Sequence, residues 1–150
     1  MSFAKSRFVM AAIVATAATL LIAPSAHAGS AEDEANYWGK DVCVDPGYGA
    51  FKFTLFYNSN FMGAHRNMGY NVWDFGGPRP LTYCLDGASA PAPGYGQNLK
   101  NNAASAKNFH ATFVADVYYN SGFKGAVDDV SWGRNLNYTY NNNASFAWRG

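Results

Sequence analysis

Phe51, Phe53 and Leu55 alternate with Lys52 and Thr54, and this period of two predicts a half-buried strand. The same alternation returns over 112–119, where Phe113, Ala115 and Val117 share a face, and over 136–140, where Leu136, Tyr138 and Tyr140 share one. Shorter apolar runs predict strands at 41–44 and at 70–75, and the chain closes with Phe146-Ala147-Trp148. Asp45-Pro46-Gly47 reads as a turn between them, as does 131–135. No segment has a convincing helical period. The polar stretch 29–39 reads as a frayed lead-in whose Tyr37 and Trp38 can pack back on the body. His65 is expected on a strand surface, and Asp128-Asp129 in a solvated turn, because adjacent strand residues face opposite sides and make no acid–base pair.

One stretch occurs twice. Phe56-Tyr57-Asn58-Ser59-Asn60-Phe61-Met62-Gly63-Ala64 and Tyr118-Tyr119-Asn120-Ser121-Gly122-Phe123-Lys124-Gly125-Ala126 agree at six of nine positions. Two aromatics five residues apart cannot share a face of a straight strand, so the Asn-Ser-Asn and Asn-Ser-Gly between them must fold the chain over. The glycine two places after each phenylalanine marks a position with room or φ for glycine alone. Each half later carries a second signature, Asn101-Asn102-Ala103-Ala104-Ser105 and Asn141-Asn142-Asn143-Ala144-Ser145. The hairpins are 62 residues apart and the Asn loops 40, so the first half holds 22 extra residues, which fall mainly in 76–97. Prolines 78, 80, 91 and 93 bar that stretch from a central strand and make it a protruding loop, held at Cys84.

Composition then narrows the setting. Lys5 and Arg7, an apolar run from Phe8 to Ala23 and a small-residue site at Ala26-His27-Ala28 read as a secretory signal peptide, residues 1–28. Without it, nine basic and ten acidic residues remain, a net charge of about −1, with no basic patch for nucleic acid and no further membrane span. Residues 29–150 are one domain, rich in Gly, Asn and Tyr as suits an all-β chain with many tight turns. Cys43 and Cys84 are expected to form one disulfide in an oxidising compartment. His65 and His110 have no metal-ligand spacing, and no nucleophile or phosphate-loop motif occurs, so the chain does not read as an enzyme.

The aromatic-x4-Phe-x-Gly stretch followed by Asn-Asn-x-x-Ser, twice, resembles the βγ-crystallin Greek-key motif. In a secreted chain of this size with one disulfide it is most similar to the bacterial peptidase inhibitor family I36. The resemblance covers about 41–150, with motif one at about 41–109 and motif two at about 112–150. It implies a βγ-crystallin-like sandwich of two Greek keys, with a long loop inserted in the first, in which Ser105 and Ser145 bond back to the hairpins and Phe56, Phe61, Tyr118 and Phe123 are largely buried. It also implies a secreted, monomeric inhibitor of thermolysin-type metalloproteases. Such enzymes favour a bulky apolar residue just after the cut, so the inhibitory loop is placed at Tyr83, Cys84, Leu85 and Asp86, with Cys84–Leu85 as the reactive bond. The alternative is a calcium-binding or structural module. Its ligands would be Asn101, Asn102, Ser105, Asn141, Asn142 and Ser145. The final serine of the calcium signature is replaced by Ala106 and Phe146, and neither loop has a carboxylate, so no cofactor is expected beyond weakly held calcium.

Overall fold

The computed structural model describes residues 31–84 and 92–150, so the expected signal peptide and its cleavage site lie outside it. The two repeated stretches form equivalent hairpins. β1 (Phe53–Asn58) and β2 (Met62–Met68) pair antiparallel around a single 3₁₀ turn, Ser59–Phe61. β4 (Val114–Asn120) and β5 (Lys124–Val130) pair in the same way. Phe53 faces Met68 and Ala115 faces Val130, and both hairpins break register at the same place, between Phe56 and Asn58 and between Tyr118 and Asn120. β3 (Ser105–Asn108) adds to β1, and β7 (Ser145–Arg149) adds to β4.

Each half then lends its remaining segment to the other sheet. β6 (Gly133–Asn135) crosses to pair with β3, with Arg134 opposite Ala106. Its counterpart in the first half is Val72, which bridges to Phe146 of β7. The sheets are ordered β2-β1-β3-β6 and β5-β4-β7. This exchange makes one sandwich of two Greek keys, with a core of Phe53, Leu55, Met68, Phe75, Leu99, Val117, Val130 and Phe146. Phe53 and Phe146, one from each sheet, stack with centroids 4.3 Å apart.

The repeat is conserved between the halves in its backbone as well as its letters. Phe61 and Phe123 both lie in the left-handed region, at φ 62° and 58°. A bulky residue there is strained by about 1–3 kcal/mol unless its surroundings enforce it. Two serines do so. Ser105 Oγ accepts from Phe61 N at 2.9 Å and donates to Asn58 O at 2.6 Å. Ser145 Oγ accepts from Phe123 N at 3.1 Å and donates to Asn120 O at 2.7 Å. Replacing either serine by alanine leaves a hairpin N–H and C=O without that partner, and each is expected to cost about 1–3 kcal/mol in urea unfolding. Equal stability of Ser105→Ala and wild type would show that the hairpin folds over without its latch.

Several expectations fail, for physical reasons. Residues 31–38 form a helix, α1 (Ala31–Trp38), where a frayed lead-in was expected. Glu32, Asp33 and Glu34 favour its N-terminal dipole, and Gly39 follows its end. Buried Asn36 pins it, accepting from Gly69 N and Tyr70 N and donating to Tyr70 O. Residues 41–44 are not a strand, because Asn67 and His65 take Asp41 O and Val44 O away from any ladder. The expected strand at 70–75 is reduced to the Val72 bridge. In the second half, strand and turn are reversed. β6 occupies the expected turn, and 136–140 is irregular, with Leu136 and Thr139 buried but Tyr138 and Tyr140 exposed. Asp128 is the cause. It is fully buried in β5, not solvated, and its Oδ2 accepts from Asn137 N, Thr139 N and Thr139 Oγ1 at 2.8–3.0 Å. His65 is buried, with Nε2 3.0 Å from Val44 O. Phe113 is exposed just ahead of β4, and of the four hairpin aromatics only Phe56 is buried, the others being half-buried.

Candidate functional site

The insertion between Phe75 and the first Asn loop is built onto the sandwich at both ends. Its first arm enters through Leu81 N to Phe75 O, and Leu99 N to Leu81 O joins the arms. Thr82 bridges Asn98, and Tyr83 N donates to Gln97 O at 2.9 Å. Cys84 N then donates to His65 O at 2.9 Å, and on the returning arm Ala64 N donates to Pro93 O at 2.8 Å. Adjacent residues of β2 thus hold the two ends of the 85–91 segment. Cys84 is also bonded to Cys43, with Cα atoms 5.5 Å apart, a normal disulfide separation. Gly94 completes the returning arm at φ 90°, where a Cβ would sit 2.1 Å from the Tyr57 ring. Only glycine lets that turn lie against Tyr57.

A buried cation braces the same base. Arg66, on β2, donates from Nη1 to Thr82 O at 2.8 Å and from Nη2 to Asn36 O and Tyr37 O at 2.7 and 3.0 Å. It therefore caps the last carbonyls of α1 and holds the entering arm at once. Burial lowers its pKa to about 10, with Tyr37 opposing the shift, so it remains charged at neutral pH. Arg79, further out on the arm, lies 4.9 Å from the Tyr37 ring centroid and pairs with Glu34. The helix that the sequence pattern missed is thus docked against the insertion.

The expected inhibitory residues divide at the disulfide. Tyr83 and Cys84 are buried. The Tyr83 hydroxyl donates to Asn102 O at 2.8 Å and its ring meets Tyr57 edge-on, so its side chain anchors the arm from inside the core instead of flanking an exposed bond. Burial, and secondarily Tyr57, raises its pKa well above that of a free tyrosine. Leu85 and Asp86 lie outside the described residues. Leu81, Tyr83 and Cys84 belong to the interior, so this part of the expected protruding loop does not protrude.

The Asn loops pair with each other. Asn101 N donates to Asn143 O and Asn141 N to Ala103 O, at 2.8 and 2.9 Å. Asn101 and Asn141 take left-handed φ of 58° and 51°, which asparagine tolerates better than most residues. Asn143, outside the expected ligand set, is fully buried. Its Oδ1 accepts from Asn102 N and Ala103 N, and its Nδ2 donates to Leu99 O. Ser105 and Ser145 are occupied as latches, and Asn102 donates from Nδ2 to Gln97 and Asn98. The carboxylate facing the second hairpin, Asp74, is matched by an internal cation, with Lys100 Nζ 2.8 Å from Asp74 Oδ1 and 3.1 Å from Ser121 Oγ. Among the described residues no cluster of His, Cys, Asp or Glu could hold a metal. The loops offer amide and backbone oxygens but no carboxylate, and calcium affinity falls with the charge count of its ligands. Melting temperatures in millimolar calcium and in excess chelator are expected to agree within about 1 °C, and a calcium-dependent rise of several degrees would overturn this.

No family model matches the chain, and no curated protein does. Among solved structures it is similar to one titled as a study of the evolution of the eye-lens βγ-crystallin domain fold, at 15% identity and TM-score 0.48, covering 71% of this chain and 92% of that one. The N-terminal domain of protein S is 21% identical, with TM-score 0.48 and coverage of 66% and 96%. A clostrillin double mutant in complex with nickel is 16% identical, with TM-score 0.45 and coverage of 66% and 98%. The βγ-crystallin-like fold of this chain rests on its two latched hairpins and exchanged third segments.

Proposed function

We propose that this chain is a secreted protein inhibitor of thermolysin-type metalloproteases, acting through a substrate-like loop that begins at the Cys84–Leu85 bond. The supporting observation is the doubly anchored base, with Cys84 and Pro93 hydrogen-bonded to neighbouring residues of β2 and Cys84 bonded to Cys43. Holding both ends of a loop reduces the ordering entropy lost on docking. With Tyr83 and Cys84 in the core, contact with a protease falls to Leu85 and the residues after it, the side of the bond that these enzymes read. Cys43 and Cys84 both precede that bond, so the disulfide does not join the pieces of a clipped chain. Pairing of β1 with β3 across the cut does.

The test is inhibition by the purified secreted protein of thermolysin-like, serine and cysteine proteases, with Leu85→Asp alongside. A charge in an apolar specificity pocket is expected to weaken inhibition about thirtyfold or more, a hot-spot loss, with the unfolding midpoint unchanged. Full inhibition by the folded variant would exclude this bond. No inhibition of any protease by wild type would remove the proposed function.

A further inference from the structure

A second site lies at the end of the sandwich away from the hairpin tips. There Phe51, Tyr70, His110, Phe113 and Trp148, with Lys52, line a cavity of about 350 Å³. None of them belongs to the insertion or to the Asn loops. The volume is at the small end of the range for small-molecule sites.

The walls are aromatic and held in place. Trp148 is fixed by Nε1 to Gly69 O at 2.9 Å and by its backbone N to Asn71 Oδ1 at 2.8 Å, and it packs edge-on against Phe53 and Phe146 in the core. The His110 ring lies 4.6 Å from Phe113 and 5.3 Å from Trp148, and Phe51 meets Tyr70 edge-on. Tyr70 and Phe113 are nevertheless 41% and 42% exposed, so much of their surface has no partner within the fold.

The polar groups are biased toward donation. His110 Nδ1 accepts from Thr112 N and Phe113 N at 3.2 and 3.1 Å, so in the neutral ring Nε2 carries the proton. No hydrogen bond among the described residues uses that N–H. Lys52 Nζ makes one bond, to Gly47 O at 2.9 Å, and pairs with no carboxylate among the described residues. No acidic side chain among the described residues lines the cavity. A cationic ligand would be repelled by Lys52. A neutral sugar, ringed with hydroxyl donors, would find the Tyr70 hydroxyl as the only side-chain oxygen acceptor among the described lining residues. A flat ring bearing an anion satisfies both the walls and the donors.

We propose that this cavity binds a small aromatic carboxylate, its ring against Tyr70, Phe113 and Trp148 and its carboxylate toward Lys52 and the His110 Nε2–H. The probe is indole-3-acetate, followed by calorimetry and by side-chain NMR shifts, with indole-3-ethanol, galacturonate and choline as comparators. Saturable binding of indole-3-acetate is expected at about 1 mM or tighter, with shifts confined to Lys52, Tyr70, His110, Phe113 and Trp148. Lys52→Met should weaken it about tenfold through loss of a charge-assisted contact, and leave the weaker indole-3-ethanol binding unchanged. Phe113→Ala should weaken both while keeping the unfolding midpoint, because Phe113 is exposed. Absence of saturable binding below about 10 mM would overturn the proposal. So would equal affinity for galacturonate or choline, or an unchanged affinity in Lys52→Met.

Discussion

The double replacement Cys43→Ser with Cys84→Ser is expected to lower stability by about 4 kcal/mol, within the 2–5 typical of small secreted domains. The bond closes a loop between residues 41 apart in sequence, and that loop contains the whole first hairpin. Its loss is also felt locally. Residues 39–50 contain no strand and are held by the disulfide, by Asn67 bonded to Asp41 O and Val44 O, and by Val42, which packs with Phe51 and Cys84. The melting temperature should fall by about 10–15 °C. The proposed inhibitory loop loses its anchor at Cys84, so under native conditions the variant should be cut by a metalloprotease that wild type resists. Unchanged unfolding in urea would mean that hydrogen bonds to β2 alone hold the base.

Asp128→Ala is expected to cost about 3–5 kcal/mol, because three donors, two of them buried on Thr139, lose their acceptor together. Asn137 N, Thr139 N and Thr139 Oγ1 all converge on Oδ2, while Oδ1 meets Arg134 Nη2 at a longer 3.4 Å. Asp128→Asn retains one acceptor oxygen for those donors and should cost less. It still weakens charge-assisted bonds and turns an amide NH2 toward Arg134. Urea unfolding gives the magnitudes, and amide hydrogen exchange gives the place, with Asn137 and Thr139 losing protection first. A loss below about 1 kcal/mol in Asp128→Ala would show that water can enter and replace the carboxylate.

The doubled hairpin is legible in the sequence because its causes are local. Asn60 and Gly122, and Gly63 and Gly125, supply positive φ at matching places, and Ser105 and Ser145 occur at matching places downstream. The Cys43–Cys84 bond was legible because the expected mature chain has no other cysteine. α1 left a trace that the apolar pattern did not weigh, an acidic first turn and a following glycine. With eight residues it is too short for a strong hydrophobic period, and much of its hold on the body is polar, through buried Asn36 and the Arg66 guanidinium on its last carbonyls. The candidate loop was legible as surplus length with prolines. The burial of Tyr83 was not, because it depends on Asn102 and Tyr57 arriving from other parts of the chain.

The hairpin turns and the paired cysteines are settled in the chain itself, since backbone φ preferences act over a few residues and a single pair of thiols leaves no choice of partner. Tertiary structure alone decided which polar residues go inside. Arg66, Asn143, Asp128 and His65 look like surface residues in the linear pattern, and each is buried. A buried polar group is stable only when its partners are supplied. Those partners, Asn36 and Thr82 for Arg66, Leu99 and Ala103 for Asn143, are 16 to 44 residues away, and those of Asn143 come from the other half of the chain.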